Sequence, residues 1–235
     1  KKAVETTEGP LLVLAGAGAG KTKTITYRIL NLIQKGIAPE EILAVTFTNK
    51  AAKEMRERIV NLLATVPELN RPISLKGAPF VATFHGLGAF IIKENFREVG
   101  IKKYFSIYDK GDSKRLVKEA LDKKGYDSKE YDPNKILAII SREKGNSVNP
   151  DSYIERGISS HFGEIVAQIW QEYEAGLKKE NALDFDDLLS VAARLLQKEE
   201  IRKVYGNRWK YVHIDEYQDT NRAQYEIAES IAHDH

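Results

Sequence analysis

The chain comprises 235 residues, 42% hydrophobic and 30% charged, with a formal net charge of +2 and no cysteine. Such a length buries a substantial core as one large domain or two small ones, and the missing thiols exclude disulfides and cysteine-ligated zinc or iron–sulfur centres. No apolar run approaches the roughly 20 residues of a membrane span, and near-neutral charge argues for no particular partner.

In chain order, Leu11–Ala15 is the first near-continuous apolar run, too short for a signal peptide and expected as a buried strand. It runs into a loop of small residues ending in Lys21-Thr22, after which Ile25, Ile29, Leu32 and Ile33 mark the inner stripe of a helix. Ile42–Thr48 reads as a second strand. Asn49 is the expected N-cap of a helix carrying Ala52, Met55, Ile59 and Leu63 on one face. Phe80–Phe84 reads as a third strand, and Tyr211–Asp215 as a fourth. Strands alternating with helices at this spacing predict a parallel α/β sheet, and their unbroken hydrophobicity predicts helices on both faces.

Between about residues 86 and 207 the patterns are helical and no strand is expected. Phe162, Ile165, Val166, Ile169, Trp170 and Tyr173 follow helical spacing, as do Phe185, Leu188, Leu189, Ala192, Leu195 and Leu196, with Asp184 placed to cap the second set. The expected organisation is a discontinuous core of residues 1–86 and 208–235 interrupted by a helical insertion, 87–207, whose C-terminal boundary is open between 183 and 207. Residues 1–86 hold 12 Lys+Arg against 7 Asp+Glu, 87–207 hold 21 of each, and 208–235 hold 3 against 6. Any polyanion site must therefore be a local surface.

The loop Ala15-Gly16-Ala17-Gly18-Ala19-Gly20-Lys21-Thr22 sits between an expected strand and an expected helix, the context of a phosphate-binding P-loop. Small residues let backbone N–H groups turn toward phosphates, and the helix N-terminus adds the positive end of its dipole. Lys21 is placed for the β- and γ-phosphates and Thr22 for Mg²⁺. Ala15 stands where the strict pattern has glycine. Tyr211–Asp215 ends in the pair Asp215-Glu216. Asp215 is placed to hold the magnesium shell and Glu216 to deprotonate an attacking water; a solvated acidic strand end is the bland alternative. The string Asn49-Lys50-Ala51-Ala52 lacks the aspartate that guanine recognition uses, so ATP is the expected nucleotide.

Five ordered strings go beyond a generic ATPase: Ala15 to Thr22, Thr46-Phe-Thr-Asn-Lys-Ala-Ala-Lys-Glu-Met55, Thr83-Phe-His-Gly86, Leu183-Asp-Phe-Asp-Asp-Leu-Leu189, and Ile214-Asp-Glu-Tyr-Gln-Asp-Thr-Asn221. Together they resemble the UvrD/Rep/PcrA family of superfamily-one DNA helicases along the whole chain. The resemblance implies a RecA-like P-loop domain with an inserted all-α subdomain, working as an ATP-driven translocase that moves 3'-5' on single-stranded DNA in repair or replication restart. It implies that Lys21 and Thr22 bind phosphate and metal, Asp215 supports Mg²⁺, Glu216 is the base, Gln218 senses the γ-phosphate, and Arg28 lies near adenine. It further implies DNA contact through Phe47, Thr48, Asn49 and Lys50 and through Thr83, Phe84 and His85. Phe47 and Phe84 would offer stacking faces and Lys50 would meet phosphates; a core Phe and a satisfied helix-start His are the structural alternatives. Asp186 and Asp187 are expected to be solvated or structural.

Relatives commonly have Ser at the position of Ala19, and carry an adenine-reading glutamine ahead of the P-loop strand. The chain begins at Lys1 and stops soon after the acidic motif. It is therefore read as a piece of something longer, with a second RecA-like domain, and its arginine fingers, expected beyond His235. A helicase portion of an AddA/RecB-type helicase–nuclease, and a non-catalytic nucleotide-dependent DNA-binding module, are the competing readings. A cytoplasmic setting is expected.

Overall fold

A computed structural model of the chain describes residues 1–16, 18–65, 77–158 and 160–233. The chain divides into two compact units. A core unit comprises Lys1–Leu87, Lys198–Thr220 and Ala228–His235, and a helical unit comprises Gly88–Gln197 and Asn221–Ile227. The break after Gln197 falls inside the range that sequence pattern leaves open.

The elements begin with α1 (Lys2–Glu5), α2 (Lys21–Gln34), β1 (Ile42–Thr46), α3 (Asn49–Ala64), β2 (Phe80–Thr83) and α4 (Phe84–Glu94). They continue with α5 (Phe96–Val99), β3 (Ser106–Tyr108), α6 (Lys110–Lys124), α7 (Pro133–Gly145), α8 (Pro150–Glu155) and α9 (His161–Lys179). β4 (Ala182–Asp184), α10 (Phe185–Leu196), α11 (Glu199–Arg208), β5 (Tyr211–Ile214) and α12 (Arg222–Ala232) complete the order.

In the core unit, β2, β1 and β5 form a parallel sheet in that order. The central strand β1 is buried at every position, as its unbroken Ile-Leu-Ala-Val-Thr run requires. Helix α2 buries Thr26, Ile29, Leu32 and Ile33, and α3 buries Ala52, Met55, Ile59 and Leu63. The apolar members of both stripes pack with Ile42, Ala44 and Val81 into one core. Helix α3 is capped by Thr48, one residue earlier than its sequence suggests: the Thr48 hydroxyl oxygen accepts the Ala51 N–H at 3.1 Å, and Asn49 is already helical.

Leu11–Ala15 differs from expectation more sharply. It forms no strand, and Leu11 to Leu14 are exposed, Leu14 by 86%. An apolar run demands burial but does not name the edge that will bury it, and ladder register has to come from long-range contacts. Pro10 also removes one backbone donor at the start of the run.

In the helical unit Val117, Leu121, Ile136, Ile140, Ile165, Ile169, Trp170 and Tyr173 are fully buried in one core. The unit also contains a parallel ribbon in which Ser106 pairs with Ala182 and Tyr108 with Asp184. Three-residue strands are too short to show a period of two, which is why pattern alone gave helices only. Asp184 caps α10 as expected, within a capping box: its Oδ1 accepts the Asp187 N–H at 2.7 Å while Asp187 Oδ2 accepts the Asp184 N–H at 3.1 Å. Both carboxylates are buried, so Asp187 is not a solvated acid.

These buried charges are balanced by Lys144, whose Nζ lies 2.7 Å from Asp187 Oδ1, 2.8 Å from Asp184 Oδ2 and 2.8 Å from Glu174 Oε1. Three ammonium protons thus meet three carboxylates, and the Tyr173 hydroxyl donates to Asp184 Oδ2 at 2.8 Å. Burial alone would depress the Lys144 ammonium; Asp187, Asp184 and Glu174 outweigh it and hold the amine well above the usual lysine range.

Breaking such a cluster leaves uncompensated buried charge, so Lys144→Met should cost about 3–5 kcal/mol of stability in urea denaturation. A second sensitive point is Gly88 on α4, where an added Cβ would lie 2.0 Å from the backbone oxygen of Leu188 on α10. Gly88→Ala should destabilise by about 1–3 kcal/mol through overpacking, and the same denaturation curves check it.

Candidate functional site

Parallel pairing sends every strand of the core sheet out at the same edge. Thr46 is level with Thr83, and Val45 with Ile214, so the segments after β1, β2 and β5 emerge side by side. This is the edge at which open α/β sheets bind their ligands.

Asp215 continues β5 by one residue, donating its N–H to the Val45 carbonyl at 2.9 Å. Glu216 then adopts a left-handed backbone, φ 53°, turning the chain out of the sheet. The two adjacent acids consequently meet different surroundings. Asp215 is 5% exposed; its Oδ2 accepts from the Thr22 hydroxyl at 2.8 Å, and its buried Oδ1 has no hydrogen-bond partner among the described residues. Glu216 is partly exposed and accepts, at Oε2, from Lys21 Nζ at 2.7 Å and from Gln218 Nε2 at 2.7 Å. Its hydrogen bond with Lys21 holds the Glu216 carboxyl below the usual range and raises the Lys21 amine above its own. Gln218 also donates to Asp219 at 3.2 Å.

Lys21 and Thr22 open helix α2, whose N-cap is Gly20 with φ 83° and no capping side chain. Gly18 also has a positive φ, 75°, and a Cβ at either Gly16 or Gly18 would meet nothing within 4 Å. The Ala19 N–H closes a turn onto the Gly16 carbonyl at 3.2 Å. The first N–H groups of α2 have no intrahelical acceptor, as at any helix start, and the N-cap Gly20 has no side chain to cap them. That open helix start suits a phosphate group. Ala15 is exposed irregular chain, and Ala17 lies outside the described residues. A buried carboxylate oxygen without a partner, beside a threonine hydroxyl, is an all-oxygen donor set of the kind hard cations take. The residues present therefore fit both a polyphosphate and magnesium.

Arg28 does not stand open on α2. Its Nη1 donates to the carbonyls of Ala3, at 3.0 Å, and Thr6, and its Nη2 reaches the Thr7 carbonyl at 3.5 Å. It fastens the chain leading to the loop. His213 on β5 was not singled out by sequence. It is buried, its Nδ1 has no partner among the described residues, and burial, then Arg28, pushes its pKa down to about 4.

The expected DNA segments divide by accessibility. Asn49 and Lys50 are exposed, and Lys50 lies 4.0 Å from Glu54 one turn on. The hydroxyls of Thr48 and Thr83 serve the backbone: Thr48 caps α3, and Thr83 accepts the Gly86 N–H at 3.0 Å. Phe47 is half-buried. Phe84 is only 1% exposed and meets the Phe47 ring edge-on at a centroid distance of 5.6 Å. In this arrangement Phe84 supports Phe47 and offers no stacking face of its own. His85 is partly buried, which lowers its pKa and favours the neutral ring.

Residues 1–235 match the UvrD/REP helicase N-terminal domain. The chain belongs to the UvrD/REP helicase family. It is 41% identical over 233 residues to the ATP-dependent DNA helicase PcrA of Leuconostoc citreum, covering 98% of this chain and 30% of that protein. Identity to the PcrA helicase of Bacillus subtilis is 38% over 236 residues, 99% of this chain and 30% of the relative. For the PcrA helicase of Staphylococcus aureus it is 37% over 233 residues, 98% and 30%. The chain thus spans about 30% of the length of these UvrD/REP relatives. No helix among the described residues is long and apolar enough to cross a membrane.

The two phenylalanines give a direct test of this geometry. Phe84→Ala should cost about 3–5 kcal/mol, as for a buried ring, whereas Phe47→Ala should cost clearly less; paired denaturation midpoints decide it.

Proposed function

We propose that this chain is the ATP- and single-stranded-DNA-binding part of a 3'-5' DNA helicase of the repair or replication-restart type. The observation carrying the reading is the convergence, at one sheet edge, of Lys21 and Thr22 with Asp215 and Glu216, beside the segment after β1 with Phe47 and, in the first turn of α3, Lys50. The names of the relatives supply ATP dependence and DNA. A cytoplasmic setting follows from that substrate.

In this reading the α2 N-terminus and Lys21 take the β- and γ-phosphates of ATP, and Thr22 and Asp215 hold magnesium. The metal, when bound, would neutralise charge building up on phosphate oxygens. Glu216 is the proton acceptor for water. With its carboxylate committed to Lys21, it is a poor base until Lys21 exchanges that carboxylate for phosphate oxygens. Gln218 donates to the same Glu216 oxygen as Lys21 and would keep it oriented after the exchange, placing it to report γ-phosphate occupancy. Phe47 lends a ring and Lys50 a charge to the DNA strand. A second RecA-like domain, in the part of the full-length protein that this chain does not cover, would supply the arginines that complete the nucleotide site. This chain alone should accordingly bind nucleotide weakly and unwind nothing.

Phosphate release by the full-length protein, with and without single-stranded DNA, tests the assignment. Glu216→Gln should lower DNA-stimulated turnover by at least about 100-fold, the usual loss for a general base, while nucleotide binding survives. Unchanged stimulated turnover would remove Glu216 from its role. Displacement of streptavidin from the 5' end but not the 3' end of an oligonucleotide checks the polarity.

A further inference from the structure

The helical unit carries equal numbers of positive and negative side chains over residues 87–207, yet its charge is not evenly spread. Lys102 and Lys103 precede strand β3, and Lys178 and Lys179 close helix α9 ahead of strand β4, which pairs with β3 in parallel. The two lysine pairs therefore approach the same end of the ribbon. All four lysines are exposed, none forms an ion pair among the described residues, and Glu180 is the one acid in the two flanking segments, 101–105 and 178–181.

Asn181 fixes the loop between them. It is one of three non-glycine residues with a positive φ among those described, at 48°. From that conformation its Oδ1 accepts the Lys102 N–H at 2.8 Å, its Nδ2 donates to the Tyr104 carbonyl at 3.0 Å, and its own carbonyl accepts the Ser106 N–H at 3.1 Å. Backbone groups of residues 102, 104 and 106 are thus tied to one residue. Between them Tyr104 stands 87% exposed. Helix-dipole pairing accounts for Lys178 and Lys179 at a C-terminus. It accounts for neither Lys102 and Lys103 nor a bare aromatic ring on a pinned backbone.

We propose that Tyr104, with Lys102, Lys103, Lys178 and Lys179, is a second contact for unpaired DNA, separate in sequence from the segments after β1 and β2. A fixed, exposed ring is a stacking platform for a base, and flanking ammonium groups meet its phosphates. Only a strand whose bases are unpaired offers an open face to the ring; duplex DNA would engage the lysines alone. The proposal rests on the DNA-motor reading and adds a place where the strand is gripped.

The test is fluorescence anisotropy of a labelled oligothymidylate, and of a blunt duplex, with the full-length protein over a salt series. Tyr104→Ala should weaken oligothymidylate binding about tenfold, within the range for losing one base stack, and Tyr104→Phe should retain it. Duplex affinity should stay the same in both variants. Replacing Lys102 and Lys103 together by Ala should flatten the salt dependence for the oligonucleotide by about one unit of slope. With Tyr104 so exposed, its variants should melt with the parent. If Tyr104→Ala binds oligothymidylate like the parent while Phe47→Ala does not, the platform is refuted and the motor reading stands. An equal loss on duplex and single strand also refutes the stacking role. Failure of the parent protein to bind oligothymidylate at all overturns both.

Discussion

Three loops separated by long stretches of sequence can act together here because their strands run parallel in a fixed register. Strand β1 is buried on both faces, so a slip of one residue against β2 or β5 would exchange its two inward sets, Leu43 and Val45 against Ile42, Ala44 and Thr46. The register that prevents this also sets Asp215 one step beyond Ile214, where its N–H is still held by Val45. Position along the sheet, and with it the distance from Asp215 to Thr22, is inherited from hydrophobic packing several residues away. The edge that carries the three loops is placed by the packed core behind it.

The same strand end explains how neighbouring acids come to have different surroundings. Asp215 remains in the ladder and is buried; Glu216 has left it through a left-handed turn and faces Lys21 and Gln218. A carboxylate oxygen that is buried and unpartnered favours a cation, whereas a more exposed carboxylate with exchangeable partners can change its hydrogen bonds during a cycle. Placing both acids in the sheet, or both outside it, would lose that separation.

Sequence made much of this legible. The inner stripes of α2, α3, α9 and α10 were readable because helical burial recurs every three or four residues over several turns, and Asp184 announced its cap by position. The order of motifs identified which side chains belong together. Other features had no local signature. The exposure of Leu11–Leu14 depends on which sheet edge receives them, and the ribbon of β3 with β4 joins residues 76 positions apart through three pairs. Phe47 and Phe84 look alike in sequence, each following a threonine at a strand end; only packing distinguishes the half-buried ring from the buried one. The Lys21–Glu216 hydrogen bond has no local signature either, since it joins residues 195 positions apart.

Among the lysines that meet carboxylates, Lys144 and Lys21 contrast in burial and partner number. Lys144 is buried and its three donors are matched by three acceptors, so any exchange of partner would strand a charge in a dry interior. Lys21 keeps 24% of its side chain exposed, pairs with Glu216 as its one carboxylate among the described residues, and stands at a helix start whose N-cap is a glycine. Its remaining donors can be satisfied by water and given up to an incoming anion at little cost. By this measure the amine with room to change partners is the one at the end of the glycine-rich loop, and the amine locked in place is the one on α7 that meets α9 and α10. Partner number and access to solvent, more than the presence of an ion pair, decide which lysine can take part in a reaction.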